Sequence, residues 1–338
     1  MSVDAEAETP HPRETVTLHG HVEAEHAFLD AYRGGRMPHA WLIGGPRGIG
    51  KATLAYRMAR FVFAHPDPGT THAATSLALP ADHPAVRRVA AQGHSDLLAL
   101  ERTEGDSGKL RTVIQVDDVR RTVSFFGSTA GEGGWRICIV DSADELNAAG
   151  ANALLKILEE PPEKSLLLVV THAPGRLLPT IRSRCRRLAL RPLPQEDVAH
   201  AVADALGRDA VEPDIKAAAF AADGSVARAI ELLGGTALQV RERVNVLLSA
   251  LPAVDPRGLH ALGDALGRDE TALTAFVDAV RDWLSARLIA PAEPARLVRF
   301  ADVWDKLNRA ARDTEIFHLE RKPFVFNVFG WLAEASRG

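Results

Sequence analysis

The stretch of sequence that decides the fold is Gly45-Pro46-Arg47-Gly48-Ile49-Gly50-Lys51-Ala52. It follows the phosphate-loop spacing G-x-x-x-x-G-K-[ST] up to the last position. Glycines in such a loop let backbone N–H groups surround a phosphate at the N-terminus of a helix, and the lysine adds a positive charge for the β and γ oxygens. The pattern therefore predicts an anion-binding loop formed by Gly45, Gly48, Gly50 and Lys51.

The last position of the loop departs from the pattern, because Ala52 replaces the serine or threonine. That hydroxyl normally binds Mg²⁺, which neutralises charge as the γ-phosphoryl group leaves. Thr53 is a poor substitute, since a side chain one residue further along a helix points roughly 100° away. We therefore expect no metal site here, and nucleotide binding through the loop, if it occurs, to be weak.

The residues on both sides of the loop predict a strand, a glycine turn and a helix. Residues 39–44 form a short apolar run, and residues 52–64 place apolar side chains at helical spacing. This is the local structure that a phosphate loop requires, so the loop is interpreted as a site rather than as an ordinary turn.

A second apolar run, residues 135–140, ends in the carboxylate of Asp141. In phosphate-loop ATPases the corresponding Asp holds magnesium, and a polarising residue orients the attacking water. Ser142 occupies the position of the water-polarising glutamate, and a serine is no general base at neutral pH. Asp144 is another candidate carboxylate, but the favoured interpretation is a first-turn or capping acid of the next helix.

Two further runs resemble motifs of the AAA+ clamp-loader subunits of bacterial DNA polymerase III. Asn152-Ala153-Leu154-Leu155-Lys156-Ile157-Leu158-Glu159-Glu160-Pro161-Pro162 is similar to the signature N-A-L-L-K-x-L-E-E-P-P, and Thr180-Ile181-Arg182-Ser183-Arg184-Cys185 resembles T-I-x-S-R-C. The resemblance implies an α/β fold class: an AAA+ domain with a parallel sheet, a small helical lid domain and an all-α C-terminal collar domain.

The resemblance also implies roles for particular residues. Thr171 matches the family's sensor-1 position, and Ser183, Arg184 and Cys185 match the element whose arginine reaches into the nucleotide site of the next subunit. Such an arginine finger is worth about 10³ to 10⁵ in rate in other phosphate-loop enzymes. Arg184 is therefore the predicted catalytic residue, acting in trans. The neighbouring Arg182, Arg186, Arg187 and Arg191 are read as a solvated or interfacial basic face, with direct DNA contact as the alternative.

Three departures from the family pattern favour a subunit that does not hydrolyse ATP. They are Ala52, Ser142 and Ala227, the last of which occupies the position of the sensor-2 arginine. An active gamma-type ATPase of the same loader is the alternative, and it would need Asp141 and Thr53 to organise Mg²⁺ in an unfamiliar way. An unrelated phosphate-loop enzyme acting on a small molecule is the third reading, and it leaves the two motif runs unexplained.

The resemblance implies partners for the chain. These are gamma/tau-type ATPase subunits and the delta subunit, with the sliding clamp and primer-template DNA reached through the complex. The chain itself is expected to have neither polymerase nor ATPase activity and to require no cofactor, and weak ATP or ADP binding stays open.

Composition sets outer limits on these interpretations. With 338 residues and 46% hydrophobic content, the chain is long enough for two or three domains. A net charge of −4 excludes the strongly basic field of an autonomous DNA binder. No apolar run is long enough to cross a membrane, and residues 1–8 are acidic rather than signal-like, so we expect a cytoplasmic protein without a membrane partner.

Cysteine usage bears on metal binding. The two cysteines, Cys138 and Cys185, are not expected to form a disulfide in the cytoplasm. Many relatives carry a four-cysteine zinc module after the phosphate-loop helix, but residues 64–95 contain no cysteine. The histidine spacing in this stretch fits no compact zinc site, so we expect no zinc. The histidines concerned are His65, His72, His83 and His94.

The predicted domain boundaries follow changes in pattern. Residues 1–14 are expected to be disordered because they are acidic, hold two prolines and lack periodicity. Strands and helices alternate over residues 15–192, which predicts a parallel sheet with the nucleotide at its carboxyl edge. Pro192 and Pro194 mark the boundary at which a helical lid, residues 193–236, is predicted to begin, and the amphipathic segments of residues 237–338 predict the helical collar.

Overall fold

The computed structural model describes residues 10–102, 114, 116–127, 131, 134–234, 237–267, 269–289, 293–317 and 319–337. The chain divides into two compact units, and the division falls between Arg228 and Ala229. This point lies inside the predicted lid, residues 193–236, so the three-domain boundaries remain a prediction.

In its described part, the first unit contains a parallel sheet of five strands, which lie side by side in the order second, third, fourth, first and fifth along the chain. Apolar side chains alternate between two buried clusters along these strands: Trp41 and Ile43 belong to one cluster, and Ala40 and Leu42 to the other. A strand that buries both faces must be covered by helices on both sides, which is the arrangement of α/β proteins. The strands are β1 (Ala40–Gly44), β2 (Leu97–Leu100), β3 (Arg136–Val140), β4 (Ser165–Thr171) and β5 (Arg186–Ala189).

Helices connect the strands, as the alternating sequence pattern predicts. The predicted helix at residues 52–64 begins one residue earlier, at Lys51, immediately after the phosphate loop. The described helices of this part of the chain are α1 (Val22–Arg33), α2 (Lys51–Ala64), α3 (Pro84–Ala90), α4 (Val116–Gly127), α5 (Ala148–Glu159), α6 (Pro179–Arg184), α7 (Gln195–Leu206), α8 (Pro213–Ala221) and α9 (Val226–Leu233). Short 3₁₀ helices span Pro68–Thr71, Ala143–Glu145 and Pro174–Arg176.

The parallel order brings the carboxyl ends of the strands to one edge of the sheet. Gly44 at the end of β1 pairs with Thr171 at the end of β4, and the N–H of Gly45 donates to the Thr171 carbonyl at 3.3 Å. Asp141 follows β3, the neighbour of β4 in the sheet. The phosphate loop, Asp141 and Thr171 therefore share the edge at which α/β sheets bind ligands.

The predicted disorder of residues 1–14 is wrong for residues 10–14, while residues 1–9 lie outside the described residues. His11 bonds Glu101 at 3.1 Å between Nε2 and Oε2. Arg60, a buried residue of α2, donates to the carbonyls of Pro12 at 3.1 Å and Thr15 at 2.7 Å. A buried guanidinium requires such acceptors, and it therefore orders a segment that has no periodicity of its own.

The second unit, from Ala229 onward, is helical in its described part, which confirms the predicted all-α C-terminal region. Phe276 is fully buried, and its ring centroid lies 5.5 Å from that of Phe324 and 6.3 Å from that of Phe329. Among the described residues, none of the helices combines the length and apolar character that crossing a membrane requires. The helices are α10 (Ala237–Ser249), α11 (Pro256–Leu266), α12 (Glu270–Ile289), α13 (Pro294–Ile316) and α14 (Arg321–Arg337).

Candidate functional site

The phosphate loop connects β1 to α2 and has the backbone that its glycines predict. Gly48 and Gly50 have φ angles of +72° and +92°, which residues with a side chain rarely adopt. A Cβ atom on Gly45 would lie 2.6 Å from the carbonyl oxygen of Leu190, the residue directly after β5, so the close approach of this backbone also requires a glycine there. The loop ends at Lys51, the first residue of α2. Gly45, Gly48, Gly50 and Lys51 therefore lie together at the start of a helix.

The first turn of α9 packs directly on this loop. The N–H groups of Val226 and Ala227 donate to the Gly48 carbonyl at 2.8 and 3.3 Å. A Cβ atom built on Gly48 would lie 2.2 Å from Ser225 Oγ and 2.7 Å from the Ala227 Cβ. Ala227, at the predicted sensor-2 position, thus contacts the loop through a methyl group and supplies no charge.

Lys51 binds the loop itself. It is buried, and its Nζ donates to the Pro46 carbonyl. Burial lowers the pKa of Lys51 to about 8, although the carboxylates of Asp141 and Asp144 act in the opposite direction. Its charge is therefore held within its own loop. Lys51 contacts a carbonyl oxygen, whereas the lysine of a nucleotide-binding phosphate loop contacts phosphate oxygens.

The donor set beside Lys51 does not fit a magnesium site of the phosphate-loop type. Ala52 supplies no oxygen, and Thr53 follows it on helix α2 at a different angle. Burial raises the pKa of Asp141, and the nearby charge of Glu101 raises it further. A half-buried carboxylate of raised pKa, without the hydroxyl at position 52, is a weak magnesium ligand.

Ser142 and Thr171 take part in a hydrogen-bond network between the ends of β3 and β4. Ser142 has a left-handed backbone with φ +65°, and its Oγ lies 3.0 Å from His172 Nε2. Asp144 Oδ1 accepts hydrogen bonds from Thr171 Oγ1 at 2.7 Å and from the His172 N–H at 2.8 Å. Ser142 therefore binds a histidine where an active ATPase would present a carboxylate to water.

Two groups of this network, His172 and Asp144, have pKa values below their usual range. Burial lowers the pKa of His172 to about 4, and the positive charge of Lys51 adds to this effect. Burial acts to raise the pKa of Asp144, but hydrogen bonds from Thr171 and His172 hold it below its usual value. At neutral pH the pair consists of a neutral imidazole and an ionised carboxylate.

The remaining predicted residues lie on α6 and at its end. Ser183 Oγ donates to the Thr180 carbonyl at 3.1 Å, and Cys185 follows the helix as a buried residue. Arg184 Nη1 donates to the same carbonyl at 3.1 Å, and its Nη2 lies 2.9 Å from Glu159 Oε1. The polar contacts of Arg184 are therefore with α5 and α6, and not with the phosphate loop.

Sequence reasoning missed His172 and gave Asp144 no partner. His172 follows the predicted sensor-1 residue Thr171 directly, and this adjacency is the signal that would have indicated it. Asp144 does lie in a first turn, that of the 3₁₀ helix Ala143–Glu145, but its side chain reaches β4. Glu145 was also missed: it binds Arg47 of the loop at 3.0 Å and Arg102 at 2.8 Å.

The histidines of residues 64–95 have local roles where contacts define them. His83 Nδ1 accepts from the Ala85 N–H at the start of α3, and His94 stacks on Phe63 with 3.7 Å between ring centroids. In the described part of the chain, no group of three or more His, Cys, Asp or Glu side chains is arranged to hold a metal ion.

Sequence comparisons place the chain among DNA polymerase III subunits. A family model described as DNA polymerase III, delta subunit, matches residues 20–194. The chain is 40% identical over 163 residues to DNA polymerase III subunit delta' of Pseudomonas aeruginosa, covering 48% of this chain and 46% of that protein. It is 30% identical over 231 residues to subunit delta' of Escherichia coli, covering 68% and 64% of the two chains. It is also 36% identical over 173 residues to subunit gamma/tau of Mycobacterium tuberculosis, covering 49% of this chain and 26% of that one.

The fold and the loop define a phosphate-loop α/β protein of the AAA+ class with a helical C-terminal region. The family match spans more than half of the chain, and the chain belongs to the DNA polymerase III delta-subunit family. The aligned part covers less than two thirds of each of these curated relatives, and about half of the Pseudomonas protein.

Proposed function

We propose that this chain is a delta-prime-type subunit of the bacterial replicative clamp loader that does not hydrolyse ATP. In this role it donates Arg184 as an arginine finger to the nucleotide site of a neighbouring gamma/tau-type ATPase subunit. The delta subunit is its other partner, and the sliding clamp and primer-template DNA are reached through the complex.

The observation that carries the proposal is the packing of α9 and Lys51 on the phosphate loop. Val226 and Ala227 donate to the Gly48 carbonyl, and Lys51 donates to the Pro46 carbonyl. The loop lysine and two carbonyls of the loop thus satisfy hydrogen bonds within the chain. Hydrolysis would have to break these contacts and also proceed without the Ala52 hydroxyl and a base at Ser142.

The arginine supports the second half of the proposal. Arg184 is 36% exposed and ends helix α6, so its guanidinium is accessible from outside the subunit. A finger acts in the site of another chain, and it therefore requires no working nucleotide site in its own chain. The loss of catalytic groups at the loop and the presence of Arg184 are compatible in one subunit.

The proposal includes cofactors and location. No cofactor is required, weak ATP or ADP binding through Gly48, Gly50 and Lys51 is compatible with it, and zinc is not part of the protein. The stability of the protein should therefore not change when a chelator is added. Elemental analysis of untagged protein is the direct measurement of its zinc content. The protein is proposed to act in the cytoplasm.

The direct test has two parts. ATPase turnover of the purified chain should equal that of a Lys51→Ala variant, because neither has a metal ligand or a base. The chain should then form a stable complex with gamma/tau-type and delta subunits and permit clamp loading, which is measured with labelled clamp and primed DNA. Failure to associate with either subunit would reject the proposal.

A gamma-type ATPase is the second candidate, because the chain is 36% identical to a gamma/tau subunit over about half its length. Magnesium-dependent turnover that disappears in Lys51→Ala would favour this candidate over the first. In that case Asp141 and Thr53 become the residues to test next.

A further inference from the structure

The Glu159-Glu160-Pro161-Pro162 run, which has no role in the proposed function so far, contains the partner of the proposed arginine finger. Glu159 is the last residue of α5, and its Oε1 lies 2.9 Å from Arg184 Nη2. Arg184 Nη1 binds the Thr180 carbonyl, four residues earlier in α6. The guanidinium is therefore folded back onto its own subunit by two contacts.

We propose that Glu159 is a positioning residue that holds Arg184 against its own subunit until a phosphate oxyanion of a neighbouring nucleotide competes for the guanidinium. This inference rests on the proposed function of Arg184 as a finger in trans. It adds a residue and a step: the arginine exchanges one anion for another when the neighbouring site is filled.

Helix electrostatics explain why the two side chains pair. The carboxyl end of a helix carries partial negative charge, so a glutamate at the last position of α5 is unfavourable without a cation beside it. Arg184 supplies that cation. Its second contact is with the Thr180 carbonyl, which also accepts from Ser183 Oγ. The folded-back conformation therefore places a cation at the carboxyl end of α5 and adds a hydrogen bond within α6.

Because the ion pair is exposed, breaking it costs little free energy. The Arg184 and Glu159 side chains are 36% and 50% exposed, so water screens their attraction. A phosphate group offers more charge than a carboxylate and accepts two parallel N–H bonds from a guanidinium. The contact is thus strong enough to select a conformation and weak enough to be displaced by a nucleotide phosphate.

The first test uses the assembled loader. Glu159→Gln keeps the shape and removes the charge, and we expect it to raise ATPase activity without clamp or DNA by about two- to five-fold, the range that exposed ion pairs span. Glu160→Gln, in the adjacent exposed residue, is the matched control and should leave activity unchanged. The double variant Glu159→Gln/Arg184→Ala should equal Arg184→Ala alone, because Glu159 acts only through Arg184.

The second test uses the isolated full chain. Nitrogen-15 relaxation of the Arg184 side chain, assigned with an Arg184→Lys variant, should show a restricted guanidinium that becomes mobile in Glu159→Gln and stays restricted in Glu160→Gln. An unchanged guanidinium would overturn the inference, and so would ATPase activity that is unchanged or lower in Glu159→Gln while Arg184→Ala reduces it. If Arg184→Ala has no effect on the loader, the proposed function fails, and the relaxation data alone decide whether Glu159 holds Arg184.

Discussion

At the scale of single residues, the surroundings of Gly48 determine which substitutions the phosphate loop tolerates. Its φ angle is +72°, its carbonyl receives two N–H groups of α9, and Ser225 and Ala227 occupy the space where a side chain would begin. A substitution here therefore affects both the loop and the start of α9.

Gly48→Ala should lower the free energy of unfolding by about 1–3 kcal/mol, because positive φ is strained for alanine and the new methyl group would overlap Ser225 and Ala227. Gly207→Ala is the matched control: Gly207 also has positive φ, +64°, but no atom lies within 4 Å of the added Cβ. Urea unfolding of both variants separates backbone strain from overlap. Equal losses would contradict the role given to the α9 contact.

His172 gives stability a pH dependence whose sign follows from its pKa. Burial lowers the pKa from the unfolded value of 6.5 to about 4, so between these values the unfolded chain binds a proton that the folded chain does not. Stability attributable to His172 is complete above the unfolded pKa and falls as the pH drops from 6.5 toward 4.

His172→Gln should reduce the loss of stability between pH 7 and pH 5, since the variant has no imidazole to protonate. The measurement is denaturant unfolding at both pH values for the wild type and the variant. His72→Gln, at an exposed position, serves as control and should keep the wild-type slope. The same slope in all three proteins would mean that His172 is protonated equally in the folded and unfolded states.

At the scale of elements, the second unit depends on aromatic packing between α12 and α14. Phe276 of α12 is fully buried and contacts Phe324 and Phe329 of α14. Phe276→Ala should destabilise the protein by about 3–5 kcal/mol, the usual loss for a buried phenylalanine. Phe317→Ala is the control, because Phe317 is 67% exposed and its loss should change stability by less than about 0.5 kcal/mol. Calorimetric unfolding of the two variants tests this difference, and similar values would place Phe276 outside the core.

The sequence predicts strands and helices well where the local pattern of residues decides them. The strand before the loop, helix α2 and the strand ending at Asp141 each follow from an apolar run beside a glycine or a carboxylate. Long-range contacts decide the rest. The order of residues 10–14 depends on Arg60, far away in sequence, and the contacts of Ser142 and Asp144 depend on the pairing of β3 with β4. No local pattern contains that information.

At the scale of the whole molecule, the candidate site has two separate parts. The loop, Asp141, Ser142 and Thr171 share the carboxyl edge of the sheet, whereas Arg184 ends helix α6 and contacts Glu159. The sequence predicted these residues of both parts, because the motifs contain them, and it missed His172 and Glu145. It did not predict the Arg184 contact with Glu159, which depends on the packing of α5 against α6.

Arg184→Ala should leave the chain folded and assembled, because an exposed arginine contributes less than about 1 kcal/mol to its own subunit. The clamp- and DNA-stimulated ATPase of the reconstituted loader should fall several-fold, through loss of charge stabilisation at one interface. Arg184→Lys should rescue poorly, since a point charge lacks the planar fork of a guanidinium. Arg87→Ala, at an exposed position of α3, is the control and should leave turnover unchanged. Undiminished turnover and clamp loading in Arg184→Ala would leave the subunit with a scaffolding role.

The burial of both cysteines has a practical consequence for following this chain in solution. Burial raises the pKa of the Cys185 thiol to about 11 and raises that of the Cys138 thiol as well. Alkylating dyes react with the thiolate, and the thiolate is scarce at pH 7 when the pKa is this high and the sulfur is enclosed. A single cysteine introduced at a surface position should therefore take up a maleimide fluorophore selectively, with both natural cysteines left in place. Fluorescence studies of the wild-type background then need no cysteine-free variant.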